Sequence, residues 1–284
     1  MTDMNAIVGG HDILLVTLDT LRYDVAARLA ASGETPVLTA LLPGGRWERR
    51  HTPGSFTYAA HAAMLAGFLP TPASPGPHPR LFAGRFPGSE TTADGTWTYD
   101  AADLPSGLAK AGYHTACVGG VGFFNKRTPL GSVLPGLFAE SHWEPEFGVT
   151  DPSSLENQIA RVAEILERLP PDRRLFLLLN VAALHQPNWF YLNDVPAAQA
   201  RRGAPRETAG PESASSEGDS LESHAAALRY VDRQLGRLFD LMRRPCFVIV
   251  CSDHGTAYGE DGHIGHRIGH EVVWTVPYGE FVLK

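Results

Sequence analysis

Phe247-Val248-Ile249-Val250-Cys251 runs without a break into Ser252-Asp253-His254-Gly255. An apolar, β-branched run bounded by polar residues predicts an interior strand of an α/β sheet, and such sheets gather ligands at the carboxyl ends of their strands. Asp253 and His254 are therefore candidate metal ligands. The structural alternative is an aspartate capping the next turn beside a histidine hydrogen-bonded in the crevice. Far from this stretch in sequence, Ile13-Leu14-Leu15-Val16-Thr17-Leu18 is a second run of the same kind, and it delivers Asp19 and Thr20. Asp19 would also serve as an N-cap. Two carboxylates brought to one edge repel unless protonated or bridged by a cation, so Asp19, Asp253 and His254 together predict a cradle for one divalent ion. Imidazole beside carboxylates favours Zn or Mn over Ca or Mg.

Phe56 to Gly67 (FTYAAHAAMLAG) reads as a short helix of small residues, with Thr57 at the N-cap and Gly67 as its stop. A hydroxyl at a helix N-terminus faces unpaired N–H groups and the positive end of the dipole, where an anion or a developing alkoxide is stabilised. Ser154 to Leu169 carries Leu155, Ile159, Val162, Ile165 and Leu166 at helical spacing and stops at Pro170-Pro171, which predicts an amphipathic helix. A further helix is predicted ahead of Cys246, with Leu221, Leu228, Val231, Leu235, Leu238, Phe239 and Met242 on its buried face. Pro36 to Leu42 is expected as a short helix and Arg46 to His51 as a strand. Residues 71–95, rich in Pro and Gly, and 195–220, without periodicity, are expected to be flexible loops.

The chain has 284 residues and a formal net charge of -7, which lacks the basic footprint of a nucleic-acid-binding surface. No apolar run reaches the length of a membrane span, and Met1 to Gly10 lacks the basic and apolar regions of a secretory signal. Three cysteines, Cys117, Cys246 and Cys251, are too few for a disulfide framework and read as reduced core residues. These features lead to the expectation of a cytoplasmic protein. Arg22 and Asp24 read as a structural ion pair.

Five segments in one order resemble the alkaline phosphatase superfamily, specifically its sulfatase-like branch. They are Ile13 to Asp24 (ILLVTLDTLRYD), Thr57 to Pro70 (TYAAHAAMLAGFLP), Leu104 to Gly119 (LPSGLAKAGYHTACVG), Leu177 to Pro187 (LLLNVAALHQP) and Ser252 to His266 (SDHGTAYGEDGHIGH). The resemblance implies one α/β domain over residues 1–284. That domain is a three-layer sandwich with a mostly parallel central sheet and helices on both faces. It also implies Asp19, Asp253 and His254 as ligands of one divalent metal, and Thr57 as a nucleophile that touches it. His185 and His266 become groups acting on the transferred or leaving group, with His263 and His270 as rivals of His266. His61 and Lys126 are substrate-contact candidates, with a hydrogen-bonded helix histidine and a solvated loop lysine as their structural alternatives.

The departures narrow the chemistry. Formylglycine sulfatases need Cys or Ser at the nucleophile position, Pro two residues later and Arg four residues later; here stand Thr57, Ala59 and His61. The family's anion-binding lysine falls at Gly120, and the ligands of a second metal have no counterpart around Asn180 to His185. Val276-Pro277, which leads into a C-terminal subdomain in larger relatives, is soon followed by Lys284, so that subdomain is expected to be absent. The expected activity is hydrolysis or transfer of a small anionic phosphate or related ester through a covalent threonine, with phosphoesters preferred over sulfate esters. The alternatives are sulfuric ester hydrolysis without formylglycine and a metal-bound pseudoenzyme that serves as a scaffold.

Overall fold

The strand β1 (Asp12–Leu18) is buried at every residue and lies between two parallel neighbours, β5 (Leu175–Val181) and β6 (Cys246–Cys251). The computed structural model describes residues 2–67, 103–192 and 218–284. The expected loop 71–95 and all of the 195–220 segment except residues 218–220 lie outside the described residues. Beyond β5 the sheet continues in parallel through β3 (His114–Val118) to β4 (Glu140–His142). On the other side, β9 (Thr275–Leu283) runs antiparallel to β6, and β2 (Glu48–His51) antiparallel to β9. The order is β2-β9-β6-β1-β5-β3-β4, a mostly parallel sheet with an antiparallel edge.

Successive side chains of a strand face opposite sides, and β1 uses both. Leu14, Val16 and Leu18 enter one core with α2 (Tyr23–Ala31), α3 (Pro36–Leu41), α6 (Ser154–Arg168) and α7 (Leu221–Leu241). Ile13 and Leu15 enter the other, with Tyr58 and Leu65 of α4 (Thr57–Ala66), Leu108 of α5 (Leu104–Lys110), Tyr113 and Phe124. Helices thus cover both faces, which is why the central strands read as unbroken apolar runs and not as alternating ones. The chain forms the three-layer α/β fold that its sequence predicts.

On α6, Leu155, Ile159, Val162 and Ile165 are buried as their spacing requires. On α7, Leu228, Val231, Leu235, Leu238 and Phe239 are buried, but Leu221, assigned to the same face, is exposed. Leu221 is the first residue after the Ser220 cap. Cys117, Cys246 and Cys251 are free and buried, and burial raises each thiol above its ordinary pKa.

Register brings the strand ends together. Leu18 pairs with Val181 and Thr17 with Cys251, so Asp19, the Ala182–His185 turn and Ser252–His254 emerge side by side. At the opposite end, buried Asp12 accepts hydrogen bonds from the Leu175 amide (3.0 Å) and from Arg243 Nε (3.0 Å), tying β1 to β5 and to the segment ahead of β6.

Candidate metal centre and active site

Asp19 follows the last residue of β1 and is fully buried. Its Oδ2 accepts from Asn180 Nδ2 (3.1 Å) and from Thr57 Oγ1 (3.3 Å). Asp253, also fully buried, accepts at Oδ1 from the backbone N–H groups of His254 (3.0 Å) and Thr20 (3.3 Å). Thr20 adopts φ 65°, a left-handed conformation that a β-branched residue holds only under constraint. His254 Nδ1 lies 2.9 Å from the Gly255 carbonyl. A carbonyl can only accept, so the proton sits on Nδ1 and Nε2 presents its lone pair. That lone pair faces Asp253 Oδ2 (3.5 Å), Asp19 Oδ1 (3.7 Å) and Thr57 Oγ1 (3.4 Å).

One ligand atom from each of Asp19, Asp253 and His254 lies within 4.8 Å of the others. The donor set fits a divalent cation on an independent observation: among the described residues, Asp19 Oδ1 and Asp253 Oδ2 are buried carboxylate oxygens without a hydrogen-bond partner, while the other oxygen of each is satisfied. Burial, followed by the charge of Asp253, pushes the Asp19 carboxyl up to about 6, and burial pushes Asp253 up to about 7. Two such oxygens converging on an imidazole lone pair are a poor arrangement for a core and a good one for a cation.

Thr57 was expected to cap its helix, and it does not. Phe56, in extended conformation, is the N-cap, and Thr57 is the first helical residue. Its hydroxyl is therefore directed at Asp19 and His254, and not back onto the helix N–H groups. His61 takes the structural one of its two readings, a hydrogen-bonded histidine on the helix, and not that of a substrate contact. It has no exposed surface; Nδ1 donates to the Thr57 carbonyl (2.8 Å), which leaves Nε2 to accept from Thr17 Oγ1 (2.8 Å). Burial lowers its pKa to about 4, so it is a neutral brace beneath the site, out of reach of a substrate.

His185 follows β5 through one short turn, is nearly buried, and directs Nδ1 at the Gln186 carbonyl (2.6 Å). Its ring centre is 5.4 Å from that of His266, and the His266 ring lies 4.5 Å from that of His254. The three imidazoles thus meet. The rivals of His266 are engaged elsewhere: His270 pairs with Asp261 (3.1 Å) and caps the Glu271–Trp274 helix, and His263 meets the His270 ring edge-on.

Lys126 is exposed and donates to the Ser141 carbonyl (2.6 Å), away from the role expected for it. A lysine at position 120 would force its neighbours to shift, because a Cβ there would lie 2.6 Å from the Asn180 carbonyl oxygen and 2.7 Å from Ala182 Cβ. Asn180 itself is a residue that sequence reading missed. Its Oδ1 accepts from the amides of Gly120 and Val121 (both 3.2 Å), and its Nδ2 supports Asp19. The available signal was one amide side chain in the otherwise apolar run Leu175 to Val181.

The solved structures give the fold a context. The chain is similar to the integral membrane protein lipooligosaccharide phosphoethanolamine transferase A of Neisseria meningitidis. The identity is 18% and the TM-score 0.61, over 97% of this chain and 48% of that one, so the chain spans about half of that protein's length. It is also similar to the zinc complex of the C-terminal periplasmic domain of EcEptC from Escherichia coli, at 14% identity and TM-score 0.62 over 97% and 74%. A third likeness is to the lipoteichoic acid synthase LtaP of Listeria monocytogenes, at 15% identity and TM-score 0.59 over 97% and 66%. At these identities the likeness is one of fold. No curated protein matches the chain. The sulfatase family model matches residues 11–278, from the start of the first strand into the last, and the chain belongs to that family.

Proposed function

We propose that this protein is a metal-dependent enzyme that hydrolyses or transfers a phosphate ester through a covalent intermediate on Thr57. One observation carries the reading: the Thr57 hydroxyl stands 3.3 Å from Asp19 Oδ2 and 3.4 Å from His254 Nε2, beside two orphaned carboxylate oxygens. Asp19, Asp253 and His254 would hold one divalent ion, and the mixed imidazole and carboxylate set favours Zn or Mn. When bound, the cation supplies positive charge where the reaction builds negative charge.

Thr57 Oγ1 attacks phosphorus, forming the Oγ1–P bond as the bond to the leaving oxygen breaks. Its hydroxyl proton passes to Asp19 Oδ2, the nearest carboxylate oxygen. His266 protonates the departing oxygen, with His185 packed against its ring, a role worth about 10² to 10⁴ in rate. Water in a hydrolase, or an acceptor alcohol in a transferase, then attacks phosphorus. It gives its proton to His266 as the P–Oγ1 bond breaks, and Oγ1 keeps that bond's electron pair and takes its proton back from Asp19 Oδ2. Phosphoesters are the preferred substrates, because Thr57 stands where sulfatases carry the precursor of formylglycine, and a phosphate brings more charge to the cradle than a sulfate monoester.

The experiment is a comparison of kcat/KM for matched aryl phosphate, phosphodiester and sulfate esters, with Thr57→Ala protein as the control for contaminating phosphatase. Quenched reactions should show the phosphoryl group on the Thr57 peptide by mass spectrometry. A sulfate ester preferred about tenfold, or about 1.4 kcal/mol, would overturn the substrate assignment. Full activity in Thr57→Ala would overturn the covalent step.

A further inference from the structure

His266 is carried by a hairpin, β7 (Ala257–Tyr258) paired with β8 (Ile264–Gly265), whose connecting residues are largely exposed. Apolar packing does not hold such a segment, yet His266 must keep its ring over the site. The hydrogen bonds show what does. Arg22, only 3% exposed, donates through Nε and Nη2 to the two oxygens of Asp24 (2.9 and 2.6 Å). Its Nη1 donates to Glu260 in the hairpin, and the other oxygen of Glu260 accepts the Tyr258 amide (2.6 Å). The Tyr258 hydroxyl accepts from Asn188 Nδ2 (2.9 Å) and lies 3.0 Å from His224 Nδ1. On the other side of His266, Arg267 sits at φ 69° with its N–H bonded to the carbonyl of Ser55 (2.8 Å), two residues ahead of Thr57. A non-glycine residue keeps that conformation only where its surroundings over-determine it.

We infer that Glu260 is a positioning residue for the leaving-group step. By bonding the buried guanidinium of Arg22 on one side and the Tyr258 amide on the other, it fixes the hairpin to the segment that follows β1. The Arg267–Ser55 bond fixes the hairpin's exit to the entry of the nucleophile helix. His266 is held between these two pins, so the placement of the proton donor against the nucleophile depends on Glu260 together with the Arg267–Ser55 bond. Asp24 satisfies the same guanidinium without touching the hairpin. It therefore stabilises Arg22 and does not position His266. The inference rests on the reading that His266 protonates the leaving oxygen.

The test compares phenyl phosphate, whose leaving oxygen needs a proton, with 4-nitrophenyl phosphate, whose leaving oxygen does not, on the metal-loaded full chain. Glu260→Gln should lower kcat/KM about 30- to 100-fold for the phenyl ester and about threefold or less for the nitrophenyl ester, as expected for a displaced general acid. Its metal content should be unchanged, and amide hydrogen exchange should quicken across 257–267. Asp24→Asn should lower the melting temperature without changing the ratio between the two esters. His266→Ala, run in parallel, separates the two ideas. If it shows no excess loss on the phenyl ester, the general-acid reading fails and this inference falls with it. If it shows that loss and Glu260→Gln does not, only the positioning role is overturned. Should Glu260→Gln lose metal or fold, Glu260→Asp, which keeps the charge but is too short to bond both Arg22 and the Tyr258 amide, is read by the same ratio.

Discussion

At the scale of single residues, the site is defined by what each polar atom lacks. Thr57→Ala should keep the metal and the melting temperature while turnover falls by at least about a thousandfold, as when a nucleophile is removed from a cooperating set. His61→Ala should behave in the opposite way. It strips partners from Thr17 Oγ1 and the Thr57 carbonyl, each loss costing about 1–3 kcal/mol, so denaturant midpoints should fall while the KM of the remaining activity stays put. A large rise in KM would restore His61 to the substrate. The carboxylates give a pH signature. Asp19 and Asp253 are raised in the fold to about 6 and about 7, so the metal-free folded state binds more protons than the unfolded chain between about pH 4 and 7. Stability of metal-free protein should therefore fall as pH rises through that window and level off above it. His61, lowered to about 4, works the other way between about pH 6.5 and 4. Denaturant titrations across pH, with and without Zn, check the sign, since the metal should abolish the carboxylate part of the slope.

At the scale of elements, the two strands that deliver Asp19 and Asp253 were legible because burial on both faces leaves an unbroken apolar run, and α6 because four buried residues fall on one helical stripe. What escaped was whatever depends on another element. Asn180 carries no local mark of its bonds to Gly120 and Val121, and nothing around Glu260 in the sequence announces Arg22. The inward turn of His61 depends on Thr17, 44 positions away. Gly120 illustrates the same limit: the sequence shows a missing lysine, whereas the structure shows a strand backbone filling the space. Gly120→Ala should destabilise the protein by about 1–3 kcal/mol in chemical denaturation, because the added methyl meets the Asn180 carbonyl. Gly120→Lys should be worse and gain no affinity for phosphate. A lysine variant that folds normally and binds phosphate more tightly would show that the space is open.

At the scale of the whole molecule, removing metal should act on global stability, because the ligands join opposite ends of the sequence. Thermal melts in chelator should shift down, and Zn or Mn at a thousandfold over Kd should restore about 4 kcal/mol. Asp253→Asn and His254→Ala should lose that response; a metal-dependent shift surviving in both would move the ion elsewhere. The neighbouring places of β1 and β6 in the sheet have a further consequence in time. Thr20 and Asp253 are separated by 233 positions, yet they share a hydrogen bond. At 5–20 residues per second, synthesis leaves β1 without its β6 partner for roughly 10–50 s. Throughout that interval a nascent chain offers a bare, strongly apolar strand edge, the kind of surface that recruits foreign strands or chaperones. An ion held by the proposed ligands Asp19, Asp253 and His254 would therefore be captured only after the ribosome has delivered the sixth strand, which would put metal supply at the last stage of maturation, not its beginning.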